Sequence, residues 1–152
     1  MTIKDRLISY LKESEIHIER LKDVLVELKK LYPIDYDKLE DFDSSQKDKL
    51  DVLAFRFSKL QDILGAKIFR KYLEVLNYPI QDKNFLELLK ELNKENIVDI
   101  DKWAEFRAVR NSIAHDYPYN NDEKIEAINY LIQNVEYLIE IKEKIEANIK
   151  RS

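Results

Sequence analysis

Hydrophobic residues recur three or four positions apart along most of the chain, which is the spacing of amphipathic α-helices. The first such stretch predicts a helix over residues 3–31, with Thr2 and Asp5 as a capping pair and Pro33 ending the pattern. The apolar positions of this helix are Leu7, Leu11, Ile18, Leu21, Leu25, Leu28 and Tyr32.

A loop rich in Asp and Tyr is predicted over residues 33–45, and Asp43 or Ser44 then caps a second helix that runs to about Leu76. This helix carries two apolar stripes and is therefore expected to touch two neighbours. Its only glycine, Gly65, lies mid-helix and suggests either a close backbone approach or neutral drift. The first stripe is Leu53, Phe57, Leu60, Leu64 and Ile68, and the second is Phe55, Ala66, Phe69, Leu73 and Leu76.

A short third helix follows the stop at Asn77 and Pro79, and Asp82 is its predicted cap. A polar break over residues 93–96 ends this helix. Its apolar positions are Phe85, Leu88, Leu89 and Leu92.

A fourth helix opens at Asp99 or Asp101 and stops near His115, because Tyr117 precedes a proline and is disfavoured in the α region. A last helix starts within residues 120–122. Its core-facing residues are Ile128, Leu131, Val135, Leu138 and Ile145.

One glycine and three prolines leave almost no room for tight hairpins, so the predicted fold class is all-α. Short connections place successive helices side by side and antiparallel. We expect a single domain over residues 1–152, built as an up-and-down bundle of four to five helices.

Composition excludes several classes of protein. With 45% hydrophobic and 37% charged residues, the chain is neither disordered nor a membrane protein. The net charge of −4 argues against a long nucleic-acid footprint driven by counterion release, such as one on DNA, but it leaves a small local basic site open. The absence of cysteine excludes thiol nucleophiles and cysteine zinc sites. The N-terminus becomes charged too early for a signal peptide, so a cytoplasmic location is expected.

Arg110 falls within the apolar sector of the fourth helix, between Phe106 and Trp103, and is expected to point inward. An inward guanidinium needs an acid, a row of carbonyls or an anionic ligand, so both a structural ion pair and an anion site remain open. Asp62 lies inside the second stripe of the second helix, with Ser58 at its edge. Asp62 is therefore the candidate partner of Arg110 or a supporting residue of a site.

His115 is predicted at the carboxyl end of the fourth helix, where the helix dipole favours the imidazolium form. This position suits either a proton donor or a simple cap. Arg107 and Asn111 share one polar edge with His115, beside Arg110. His17 lies on the charged side of the first helix and is assigned to solvent.

The segment at the end of the fourth helix resembles the Arg-x4-His motif of HEPN domains, in the Arg-x4-His-x-Tyr form of the HepT-like branch. The resemblance implies a helical bundle that dimerises and brings both motifs into one cleft, as a metal-independent endoribonuclease toxin without a cofactor. The residues that carry it are Arg110, Asn111, Ser112, Ile113, Ala114, His115, Asp116 and Tyr117.

By this resemblance, Arg110 grips the scissile phosphate, His115 moves a proton and Asn111 supports the cleft. Tyr117 would accept AMP from a partner minimal nucleotidyltransferase, the antitoxin, which would silence the ribonuclease. The alternative is that Tyr117 and Tyr119 simply pack at the end of the bundle.

The predicted reaction is cleavage of single-stranded RNA or tRNA by the ribose 2′-hydroxyl. Arg110 and His115 are five positions apart, about 140° around a helix, so they converge more easily if His115 lies beyond the last regular turn or if two protomers contribute. One rival is a non-catalytic binding module that docks a nucleotidyltransferase. Another is an oligomerisation domain in which Arg110 pairs with Asp62 and nothing reacts.

Overall fold

The computed structural model describes residues 1–115 and 121–151, and these ranges contain helices and no β-strand. The all-α bundle predicted from the spacing is confirmed. The helices are α1 (Ile3–Leu31), α2 (Tyr36–Asp41), α3 (Ser44–Ile63), α4 (Phe69–Val75), α5 (Phe85–Lys94), α6 (Ile100–Ala114), α7 (Asp122–Asn134) and α8 (Glu136–Lys150).

Two of the predicted helices consist of two segments each. A π-helical segment, Leu64–Ile68, joins α3 to α4, and Val135 joins α7 to α8 while keeping right-handed helical dihedral angles. The predicted end of the second helix near Leu76 agrees with the end of α4 at Val75. The described segments therefore form about six rods, one more than the five helices that the spacing predicts.

The additional rod is α2, which lies inside the predicted loop over residues 33–45. The side chain of Asp35 caps it by accepting a hydrogen bond from the Lys38 N–H at 2.9 Å. Leu39 within the helix and Phe42 after it are buried. The helix is too short to show a repeating apolar pattern, which explains why the sequence predicted only a loop.

Most helix starts agree with the prediction, because side chains next to each start satisfy its free backbone N–H groups. Thr2, Asp43, Asp99 and Asn121 are the N-caps of α1, α3, α6 and α7. The predicted cap Asp82 is wrong.

Asn84 caps α5 instead of Asp82. Its side chain accepts from the Glu87 N–H at 2.9 Å, while the Glu87 carboxylate accepts from the Asn84 N–H at 3.2 Å. This reciprocal capping box satisfies two donors. Asp82 could not form one, because the residue three positions after it is Phe85, which has no side-chain acceptor.

The two apolar stripes of the second predicted helix have different outcomes. Every residue of the first stripe is fully buried, from Leu53 to Ile68. In the second stripe Phe69 and Leu73 are buried, but Phe55 is 51% exposed and Ala66 is also exposed. The π-helical segment changes the angular phase of the rod after Ile63, so residues before and after it that seem to share a face do not.

Helix α1 packs along α3 and α4, and it also contacts α7 and α8. Lys142 of α8 is 4% exposed and forms ion pairs with Glu15 of α1 and, at 2.8 Å, with Glu146 of its own helix. Burial alone would lower the pKa of Lys142, but the two carboxylates outweigh it and raise the pKa. None of the helices within the described ranges has the length and apolar character needed to cross a membrane.

Candidate functional site

Arg110 lies on α6 at the surface between α6 and α3, where it pairs with Asp62. Its Nη2 donates to the Asp62 Oδ2 at 3.0 Å, which confirms the partner predicted from the helical positions. The Arg110 side chain is 34% exposed and that of Asp62 is 52% exposed. The expectation of an inward arginine is therefore corrected, since this pair remains accessible to solvent and to ligands.

Two grooves flank this ion pair. The first, which we call the tryptophan groove, has a volume of about 490 Å³ and is lined by Trp103 and Phe85 among others. The second, the Phe55 groove, has a volume of about 360 Å³ and is lined by Phe55 among others. Asp62 and Arg110 line both grooves, so their pair separates one groove from the other.

Three further candidates on α3 and α6 line these two grooves. Arg107 and Asn111 line the tryptophan groove together with Arg110, as expected for residues three and four positions apart on a helix. Ser58 lines the Phe55 groove, and its hydroxyl donates to the Ala54 carbonyl at 2.9 Å. Four of the predicted residues therefore surround Arg110.

His115 occupies a different position from these residues. It is the C-cap of α6, with extended dihedral angles of φ −73° and ψ 136°, and it is exposed. It lines neither the tryptophan groove nor the Phe55 groove. His115 thus lies beyond the last regular turn, which is one of the two arrangements expected to ease its convergence with Arg110. Neither groove of a single chain includes it. The predicted acceptor Tyr117 lies outside the described residues.

The wall of the tryptophan groove depends on Gly65. An added Cβ at Gly65 would lie 3.2 Å from the Trp103 Cζ2, which is tighter than ordinary contact. The predicted close approach at this glycine is confirmed. The Trp103 ring is held by Phe69 and Phe85, at centroid distances of 4.9 Å and 6.2 Å. The π-helical segment that contains Gly65 thus allows α6 to approach the α3–α4 rod closely.

Gln61 is a residue of this groove that sequence reasoning missed. Its side chain lines the groove, it is only 6% exposed, and its Oε1 has no hydrogen-bond partner among the described residues. A buried polar group left without a partner costs about 1–3 kcal/mol. In the sequence, Gln61 is only a polar residue beside an apolar stripe, which is too common a pattern to mark a site.

Charge in the tryptophan groove favours anions. Arg107 and Arg110 contribute two guanidinium groups to its lining, against the single carboxylate of Asp62. Guanidinium groups bind phosphate oxygens in a bidentate geometry and stay charged at every ordinary pH. The site can therefore hold a phosphate, in competition with Asp62 for Arg110.

His17 differs from its assignment to solvent. It is partly buried, and its Nδ1 lies 3.1 Å from the Arg56 Nη1, which can donate to the neutral ring. Burial, and then the charge of Arg56, lower the pKa of His17. Its contact with Arg56 links α1 to α3.

Within residues 1–115 and 121–151, no group of three or more His, Cys, Asp or Glu side chains is arranged to hold a metal ion. Comparisons with protein-family models, curated proteins and solved structures gave no match to this chain.

Proposed function

We propose that this chain is a metal-independent endoribonuclease toxin that acts as a homodimer. The observation that supports the proposal most strongly is the position of Arg110, which is partly exposed at the boundary of two grooves and has Arg107 and Asn111 beside it. The resemblance of residues 110–117 to the HEPN motif assigns phosphate binding to the same arginine.

The proposed reaction uses the RNA as its own nucleophile. The ribose 2′-oxygen forms a bond to the adjacent phosphorus and releases its proton to solvent water. The bond from phosphorus to the 5′-oxygen breaks, and that oxygen takes a proton from the His115 imidazolium. Arg110 stabilises the negative charge that develops on the phosphoryl oxygens. The products are a 2′,3′-cyclic phosphate and a 5′-hydroxyl, and solvent restores the proton on His115.

A homodimer is part of the proposal because His115 lines neither groove of its own chain. A two-fold axis near the carboxyl end of α6 would bring the second protomer's His115 to the groove that holds Arg110. The phosphate would then contact an arginine of one protomer and an imidazole of the other.

Regulation by a minimal nucleotidyltransferase antitoxin completes the proposal. Co-expression with that enzyme is expected to add one or more adenylyl groups to the peptide that contains Tyr117 and Tyr119. Intact-peptide mass spectrometry measures the addition. Unmodified peptide after co-expression would restrict the partner to a docking role.

Cleavage of labelled single-stranded RNA and tRNA in the presence of chelator tests the ribonuclease. Arg110→Ala and His115→Ala should each reduce the rate by about 100-fold or more, since each removes charge stabilisation or proton transfer. The matched controls are Arg6→Ala and His17→Ala, which change an exposed arginine and the only other histidine. Cleavage that persists unchanged in both Arg110→Ala and His115→Ala would end the catalytic assignment.

The ion pair itself favours a second candidate function. Because the Arg110 guanidinium already contacts Asp62, the chain fits a non-catalytic module that docks a partner nucleotidyltransferase. Growth arrest on expression of this chain alone would support the toxin. Harmless expression, together with a stable complex with the nucleotidyltransferase, would support the module.

A further inference from the structure

We propose that the tryptophan groove binds a nucleobase of the RNA and that Gln61 hydrogen-bonds to the edge of that base. This inference rests on the proposed function, because it takes RNA as the ligand. It adds a specificity-determining residue and a base subsite beside the phosphate position at Arg110.

Gln61 is the first reason for this proposal. Buried polar groups are nearly always hydrogen-bonded, and each exception needs a physical explanation. The Gln61 side chain is 6% exposed, its Oε1 lacks a partner among the described residues, and it lines the groove. A carboxamide offers one acceptor and two donors on one planar group. The same combination lies along the edges of the nucleobases, where Gln and Asn form paired hydrogen bonds.

The shape and lining of the groove are the second reason. Phe85 is partly exposed and provides aromatic surface to the groove, beside the nearly buried Trp103 ring. Aromatic side chains stack on any base through its π-face. Gly65 and Ala66, which have the smallest side chains, also line the groove and add little bulk to it. The volume of about 490 Å³ is within the range of small-molecule sites.

The third reason is continuity with the phosphate position. Arg107, Arg110 and Asn111 line the same groove as Gln61 and Trp103. A nucleotide has a flat uncharged base at one end and an anionic phosphate at the other. The groove offers an aromatic and amide lining for the first and guanidinium groups for the second. The π-helical segment next to Gln61 agrees with this assignment, since such segments are frequent at functional sites.

Trp103 provides a direct test because it is the only tryptophan in the chain. In uniformly ¹⁵N-labelled protein, its indole N–H gives a single resonance that reports on the groove. The probes are the four ribonucleoside 3′-monophosphates and the four 5′-monophosphates. We expect a saturable shift of the indole resonance with at least one base, and inorganic phosphate should not reproduce it. No saturable shift with any of the eight probes would overturn the proposal.

A variant at Gln61 tests the role of the amide. Gln61→Leu should weaken binding of the preferred nucleotide by about tenfold and reduce the preference among bases, because a hydrogen bond to the base edge is lost. Gln61→Met serves as a second variant of similar length, and the matched control is Gln81→Leu on an exposed loop. Thermal unfolding checks that each variant is folded. Unchanged affinity and base preference in both folded Gln61 variants would refute the role of Gln61.

The two proposals fail in different ways. A chain that binds nucleotides at Trp103 but cleaves no RNA would refute the ribonuclease and retain the base subsite. A chain that cleaves RNA dependent on Arg110 and His115, without any shift at Trp103, would retain the ribonuclease and refute the subsite.

Discussion

Asp62 accepts a hydrogen bond from Arg110, the residue on which the proposed site depends. The substitution Asp62→Asn tests whether this ion pair stabilises the fold or mainly competes with a ligand for Arg110. The two side chains are 52% and 34% exposed, although the contact between them is only 3.0 Å. Exposed ion pairs contribute about 0.2–1 kcal/mol to stability, whereas breaking a buried pair costs about 3–5 kcal/mol. We therefore expect Asp62→Asn to lower the free energy of unfolding by less than about 1 kcal/mol.

A double-mutant cycle measures this coupling. The four proteins are the wild type, Asp62→Asn, Arg110→Gln and the double variant, each unfolded in urea and followed by far-ultraviolet circular dichroism. A coupling energy below about 1 kcal/mol agrees with the exposed geometry. A coupling of about 3 kcal/mol or more would mean that the pair acts as a buried structural bridge, which would contradict the accessibility of Arg110 to a ligand.

The same substitution makes a prediction about ligand binding. Asp62→Asn removes the carboxylate that competes with phosphate for the Arg110 guanidinium, so an RNA oligonucleotide should bind about two- to fivefold more tightly at low salt. Asp37→Asn, an exposed aspartate of α2, is the matched control for net charge. Binding that is unchanged relative to this control, or weaker, would contradict the assignment of Arg110 to phosphate.

Two further predictions concern packing and pH. Gly65→Val should lower the free energy of unfolding by about 1–3 kcal/mol, because its added atoms meet Trp103. Ala66→Val, at the exposed neighbouring position, should lower it less. Equal losses of unfolding free energy in urea for the two variants would contradict the close approach at Gly65. The lowered pKa of His17, compared with 6.5 for the free side chain, means that the unfolded chain binds more protons between the two pKa values. The free energy of unfolding should therefore fall as pH drops below about 6.5, and His17→Gln should remove part of that dependence. Identical pH profiles of the unfolding free energy in the wild type and His17→Gln would refute the prediction.

The sequence predicted those features that depend on neighbouring positions along the chain. Helix periodicity and caps such as Thr2 and Asp43 involve residues a few positions apart, and the structure agrees with them. The pairing of Asp62 with Arg110 also followed from helical positions, because both residues interrupt apolar stripes. The helix α2 was missed because six residues are too few to show a period.

Other features depend on how closely the helices approach one another, which no local pattern records. The exposure of Arg110 depends on how α3 and α6 pack together, whereas its helical position predicted an inward side chain. Phe55 was wrongly placed in the second stripe because the π-helical segment after Ile63 rotates the later residues of the stripe, such as Phe69, relative to Phe55. To predict that the Gln61 Oε1 lacks a hydrogen-bond partner likewise requires the position of every neighbouring polar atom. The roles of His115 and Tyr117 remain predictions.

The π-helical segment Leu64–Ile68 restricts changes of length in the continuous rod formed by α3 and α4. Its wider turn closes with the Phe69 N–H donating to the Leu64 carbonyl, five residues earlier. Loss of one residue within this segment would leave an ordinary α-helix. All residues after the deletion would then be rotated about the helix axis by about 100° relative to α3. Phe69 and Tyr72, both now buried, would rotate away from their present neighbours. Related chains should therefore keep the spacing between Gly65 and Tyr72 constant and accept length changes in the loops.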